Sequence, residues 1–466
     1  MNNKQKPKIT NSATMPSGEL GPEFERLIGA VWILSILYFL VLGILFWDAF
    51  TNRSLYFINF FATTAYFSII FFSIRGNSFN EGKLITIVLV FNLCFVAAYN
   101  YLFFLDRGDF LAFAAADSET YHYIADYISR GPIKDTLSRF PWYLANDDKG
   151  FVVYASLLYR IIPSNLILNL FNIILNLATT VILYKLGRFI LSDKGAFLTA
   201  IIYGVATYTV FYQASGLKET LMVFLTVGSL YYLIQSFEKG SLPLFLLGIL
   251  FCVLVTFFRV PVAFFVLASL GVYLVFKKKR HSILGPVIFI ILVIIGMLFY
   301  VSFQEYLSRY LFSFMDVIFG KEAVFEHDMR FAGAVAVISG IFGPFPTLIP
   351  FPGKENISIL AGSLILKVLI SAYFVVGTYF AYKARNAIAL ALGAFCLMEI
   401  GGLIYLLESF EFRLNFPHIG FFVLITIYGF EKLETSQLKY QGLKKLIFTG
   451  NLALVGAIYA WNILRF

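Results

Sequence analysis

Apolar and polar positions along this chain alternate on the scale of a bilayer rather than of a single helix face. From Leu27 onward, thirteen apolar stretches follow one another, at residues 27–47, 55–74, 84–105, 164–184, 196–212, 219–235, 242–258, 261–276, 283–301, 359–381, 386–408, 416–430 and 446–463. A helix needs about 20 residues to cross hydrocarbon. Stretches such as 84–105 and 283–301 are apolar throughout and lack the polar face of a surface helix. The pattern predicts an all-α, polytopic transmembrane helical protein of about 12–13 spans, each crossing as a backbone-satisfied helix. A polar, disordered-looking segment at 1–26 precedes a single transmembrane domain at 27–466. Leu27–Trp47 is long and many spans follow it, so it reads as a retained span and not a signal peptide.

Two long polar loops interrupt the series, at 106–150 and 302–358. In the first, residues 118–130 place Tyr121, Ile124, Ala125 and Ile128 on one side at helical spacing. This predicts an amphipathic helix lying at the membrane interface, capped by Asp117 or Ser118 and ended by Gly131–Pro132. Residues 151–162 predict a short apolar helix stopped before Pro163. In the second loop, the four prolines of 342–353 exclude a regular helix.

Short loops fix the orientation. Arg75 with Lys83, then Lys185, Arg188 and Lys194, then Lys239, the run Lys277–Arg280, Lys383 with Arg385, and Lys432, Lys439, Lys444 and Lys445 all fall on one side of the predicted topology. Basic loops are retained in the cytoplasm. The amino terminus is therefore expected inside and both long loops outside. The same bias accounts for the net charge of +9 without a nucleic-acid partner. With 59% hydrophobic residues and a mean hydropathy of +0.81, the chain lies outside the range of water-soluble domains. Cys94, Cys252 and Cys396 all sit within apolar spans, with neither a disulfide framework nor zinc spacing.

Candidate chemistry concentrates on the outer side. The first loop carries Asp106, Arg107, Asp109, Asp117, Glu119, His122 and Asp126. Carboxylates this dense beside a span can serve as a general base or hold a divalent cation; they are also ordinary in a solvated loop. Lys218, Arg259 and Arg413 each stand between apolar spans at the same predicted depth. A charge there costs free energy unless it pairs or reaches the interface. Basic residues from different spans suit convergence on an anion such as a lipid-linked phosphate, although each also suits a helix end meeting headgroups. Trp142 and Tyr143 can stack on a sugar ring or form part of an interfacial belt. The chain carries no GxxxxGK[ST] loop, HExxH or nucleophile elbow.

With these residues located, the chain resembles the polytopic bacterial glycosyltransferases of the GT-C type, relatives of the protein O-mannosyltransferases and the lipid A aminoarabinose transferases. More loosely, it is similar to membrane proteins of polysaccharide gene clusters. The resemblance runs from about residue 84 to 275, with an echo near 405–430. It rests on Asp117–Ser118–Glu119–Thr120–Tyr121–His122, then Tyr159–Arg160, then Tyr184–Lys185–Leu186–Gly187–Arg188, then Ser215–Gly216–Leu217–Lys218–Glu219.

The resemblance implies an enzyme of a bacterial inner (cytoplasmic) membrane that moves a sugar from a polyprenyl-phosphate lipid to a glycan, lipid or protein acceptor of the cell envelope, with inversion. Asp117 matches the acidic base, with Glu119 as the alternative and His122 orienting the acid or the acceptor. Lys218, Arg259 and Arg413 would hold the lipid phosphate, and Asp109, Trp142 and Tyr143 would meet the acceptor or the sugar. Some relatives use a divalent cation such as magnesium or manganese and others do not, so no metal ligand is assigned. The chain departs from the family in placing its acidic loop after three spans instead of one, and in lacking the large soluble carboxyl-terminal domain of some relatives. Two readings from other classes stand beside this one: a flippase or exporter of lipid-linked saccharides, and a non-catalytic envelope-glycan assembly protein.

Overall fold

The computed structural model describes residues 22–45, 53–108, 116–133, 146–277, 340–343, 359–405, 416–436 and 440–464. The predicted span 283–301, most of the loop at 302–358 and the side chains of Asp106, Arg107, Asp109, Asp117, Trp142, Tyr143 and Arg413 lie outside them. The described chain is helical, with no strand among the described residues. Its helices are α1 (Pro22–Leu45), α2 (Arg53–Arg75), α3 (Glu81–Arg107), α4 (Ala116–Ser129), α5 (Asn146–Tyr159), α6 (Asn165–Gly187), α7 (Asp193–Gly204) and α8 (Thr207–Ala214). They continue with α9 (Glu219–Lys239), α10 (Leu242–Thr256), α11 (Val260–Phe276), α12 (Ala361–Ala384) and α13 (Ala387–Tyr405). A 3-10 turn at Phe416–His418 then leads into α14 (Ile419–Thr435), and α15 (Gln441–Leu464) follows.

Helix ends follow local chemistry. Asn80 caps α3 by accepting from the Lys83 amide at 2.8 Å, and Gly108 closes that helix in the left-handed region. Ser164 caps α6 one residue after Pro163, and Ser192 caps α7. Prolines stand in the first turns of α10 and α11, where the missing amide proton costs nothing.

Eight of the described helices are long and apolar enough to cross a membrane, or nine when α7 and α8 count as one bent span. The shorter helices α10 and α11 are also apolar, and α14 is not among the eight. The chain is a multi-pass membrane protein. Residues 196–212, read from the sequence as one straight span, are instead broken between α7 and α8 with a bend of 42°. Side chains compensate for the lost helix hydrogen bonds. Asn92 and Asn176 both donate to the Gly204 carbonyl, at 2.9 and 3.0 Å, and Ser363 accepts from the Thr207 amide at 2.6 Å. Backbone can leave helical geometry at membrane depth only where protein satisfies it in this way.

Helices α12 and α14 cross through reciprocal glycines. A Cβ at Gly377 would overlap the Ile425 carbonyl oxygen, and one at Gly429 would overlap that of Tyr373. Small residues permit such close backbone approach between spans. Gly429→Leu is therefore expected to lower stability by about 3 kcal/mol or more through overpacking, measured by thermal unfolding in detergent.

The basic turns gather at one end of the bundle. Lys185 pairs with Glu81 at 3.2 Å and Arg75 with Glu25 at 2.7 Å. Glu431 accepts from Ser192 in the α6–α7 turn, and Lys277, Lys383 and Arg385 line one cavity of about 520 Å³. The opposite end carries α4, α5 and the turns before α9, between α10 and α11, and before α14.

Candidate active site

Helix α4 forms where the apolar period predicts it and buries the predicted face. Tyr121, Ile124, Ala125 and Ile128 are all buried, while Tyr123 on the far side is 76% exposed. The expected cap is corrected. The helix begins at Ala116, so Ser118 lies inside its first turn, and its buried hydroxyl donates to the Ser215 carbonyl at 2.5 Å. That bond holds the acidic start of α4, with Asp117 in its backbone, against the Ser215–Lys218 turn. Glu119 is exposed.

Three elements meet at Asp148 of α5. Tyr121 of α4 donates to Asp148 Oδ1 at 2.6 Å, and the Lys218 ammonium binds the same oxygen. Lys218 is only 3% exposed, whereas the Asp148 side chain keeps some contact with solvent. The carboxylate so compensates a cation that would be costly to bury alone.

His122 sits one residue on from Tyr121. Its Nδ1 meets the Tyr159 hydroxyl, and Tyr159 donates to Asn165 Oδ1 at 3.2 Å. Since Tyr159 spends its proton on Asn165, it accepts from His122 Nδ1–H, which leaves Nε2 as the lone-pair nitrogen. That nitrogen is buried, has no hydrogen-bond partner among the described residues, and faces Gly216. Gly216 has φ +62°, and a Cβ there would stand 2.8 Å from Nε2. Glycine alone fits both demands.

Helix α4 is not among the candidate spans. Burial lowers the His122 pKa from 6.5 to about 4, so the ring is neutral near pH 7. The unfolded chain takes up this proton as the pH falls through 6.5, but the folded chain resists until about 4. Stability is thus complete above 6.5 and declines as the pH drops through that window, by at most about 1.4 kcal/mol per unit. Unfolding temperatures measured between pH 7 and 4.5 should show a shallower decline for His122→Gln than for the parent.

Arg259 lies in the turn between α10 and α11. Gly150, two residues beyond Asp148, packs on Phe257, where a Cβ would stand 2.8 Å from the Phe257 carbonyl oxygen. Asp148, Lys218 and Arg259 therefore share one end of the bundle with the start of α4.

A second polar group, whose Lys367 and Glu399 the sequence reading did not single out, lies on α12, α13 and the turn before α14. Glu399 of α13 lies 3.4 Å from His418 Nδ1, and both side chains are buried. The Lys367 ammonium donates to the Gly343 carbonyl. Phe416, two residues before His418, contacts Tyr208 and Tyr212 with ring centroids 5.3 and 4.5 Å apart, which joins this group to the helix preceding the Lys218 turn. The available signal was a lone Lys within span 359–381 and Glu399 near the middle of span 386–408, since intramembrane charges are functional candidates by default. Among the described residues, no group of three or more His, Cys, Asp or Glu converges as a metal site.

This arrangement sets the buried Lys218 ammonium and its Asp148 partner beside the start of α4 at the end of a span bundle. Residues 154–303 match the family described as dolichyl-phosphate-mannose-protein mannosyltransferase. The match covers about a third of the chain and takes in Lys218 and Arg259, while Asp117 and His122 precede it. It bears out the resemblance to GT-C-type enzymes and supports a membrane glycosyltransferase of that type. No curated protein and no solved structure matches the chain.

Proposed function

We propose that the chain moves a sugar from a polyprenyl-phosphate donor to a cell-envelope acceptor at the outer face of a bacterial cytoplasmic membrane. The observation that carries this reading is the meeting of α4, Asp148, the Lys218 turn and the Arg259 turn at the end of the bundle opposite the basic turns. Basic turns mark the cytoplasmic side. The site end then faces outward, with the amino terminus inside.

In the proposed reaction an acceptor hydroxyl gives its proton to Asp117, and its oxygen attacks the anomeric carbon. The bond from that carbon to the phosphate oxygen breaks with inversion, and polyprenyl phosphate departs. Lys218 and Arg259, with Arg413, offset the charge that grows on the leaving phosphate. His122 offers its Nε2 lone pair to orient the acceptor or the acid, while Asp109, Trp142 and Tyr143 meet acceptor and sugar. Glu119 is the alternative base.

The test is transfer by the full-length protein in liposomes, supplied with polyprenyl-phosphate sugars and membrane-derived acceptors. Activity that depends on Asp117 and Lys218 supports the enzyme. A flippase would instead move labelled lipid-linked sugar between leaflets without transferring it, and an assembly protein would do neither.

A further inference from the structure

Helix α6 carries Asn165, Asn169, Asn172 and Asn176 at steps of four, three and four residues, so they share one face. Asn165, the outermost, accepts from Tyr159, the partner of His122. The other three are buried within a membrane-spanning helix, Asn172 completely. Asn169 donates to Asn100 Oδ1 of α3 at 3.2 Å. Two turns deeper, Asn176 meets Asn92 of α3 on the Gly204 carbonyl. Asn172 lies on the same face between these two ties. Neither its Oδ1 nor its Nδ2 has a hydrogen-bond partner among the described residues, and the Oδ1 atoms of Asn92, Asn169 and Asn176 have none either. The nearby donors are committed. The amide nitrogens of those three already donate, and the hydroxyls of Thr179 and Thr180 donate to carbonyls of α6 itself.

We infer that the span bundle binds internal water between α3 and α6, around Asn172. From Asn169 to Asn176 this seam covers about 10 Å of helix, and it presents four amide oxygens and one amide nitrogen in search of partners. Water fits that set, because it donates twice and accepts as well, and a buried water needs two to four polar partners. Amides carry no charge to balance a bare cation inside hydrocarbon. Left dry, these atoms would be costly in a span, where lipid offers no hydrogen bond. The water also has a structural task. Asn92 and Asn176 hold the Gly204 carbonyl through their nitrogens, and water on their oxygens fixes both side chains in that orientation. It thereby steadies the 42° bend between α7 and α8. This hydration stands whether or not the chain transfers sugar.

Full-length protein in nanodiscs, imaged at a resolution that shows ordered water, should carry at least one water within hydrogen-bond distance of Asn172. An Asn172 amide bonded directly to protein, with no water density beside it, overturns the inference. Asn172→Leu tests it independently, because the two cases differ in sign. Leucine has the branched shape of asparagine without its polar atoms. In a hydrated seam it displaces water and leaves the oxygens of Asn92, Asn169 and Asn176 bare, so thermal unfolding in detergent should come several degrees earlier than in the parent. In a dry seam it only removes two unsatisfied atoms, and the unfolding temperature should rise. A rise, or no change, overturns the inference. Should the leucine variant not fold, Asn172→Ser is compared with Asn172→Ala. The hydroxyl keeps a contact to water, so the serine variant should unfold at the higher temperature, and an equal or lower value overturns the inference.

Discussion

Asp117→Asn is expected to reduce sugar transfer by a factor of about 10² to 10⁴, the range a general base contributes. The carboxylate is isosteric with the amide, so the protein should fold as before. The Ser118 bond to the Ser215 carbonyl does not involve the Asp117 side chain, and the buried face of α4 is unaltered. Glu119→Gln provides the internal comparison. Glu119 is exposed in the same turn, so its loss is expected to change transfer by less than about tenfold, well short of a general base. Initial rates from reconstituted protein at matched folded yield separate the two. Equal loss in both variants would assign the loop a diffuse electrostatic role, and equal retention would remove the acid from the mechanism.

Lys218→Met should have two effects. Removing one partner of a buried pair leaves Asp148 uncompensated, at a cost of about 3 kcal/mol, the low end of the range because Asp148 still reaches solvent. Loss of a preorganised charge at the leaving phosphate should separately slow transfer about 10²- to 10³-fold. The double variant Lys218→Met/Asp148→Leu distinguishes these effects. It replaces both charges with apolar groups, so stability should largely recover, while transfer stays low. Thermal unfolding and initial rates on the same preparations read both effects. Recovery of transfer together with stability would make the pair purely structural.

Much of the architecture was legible because membrane physics writes it at low resolution. Long apolar runs, loop charges and the three- and four-residue spacing of Tyr121, Ile124, Ala125 and Ile128 all report burial directly. The break after Gly204 was hidden because the sequence around it has neither proline nor a polar run. It is set by Asn92, Asn176 and Ser363, which arrive from other helices. Asp148 escaped notice for a similar reason. Beside Asp147 and Lys149 it reads as solvated loop, and only the fold brings Tyr121 and Lys218 to it. Lys367 and Glu399 were visible as isolated charges, but the runs around them are so apolar that both spans are recognisable without them. His122 was singled out from the sequence, but its link to Tyr159 and the glycine facing it depend on contacts across many residues.

The central claim is that a lipid phosphate is held at the end of the bundle where α4, the Lys218 turn and the Arg259 turn meet. A structure of the full-length protein in nanodiscs with polyprenyl monophosphate tests it most directly. The account predicts phosphate density between Lys218 and Arg259, with the start of α4 closing over it. Phosphate density confined to the basic turns around Lys277, Lys383 and Arg385 would contradict it.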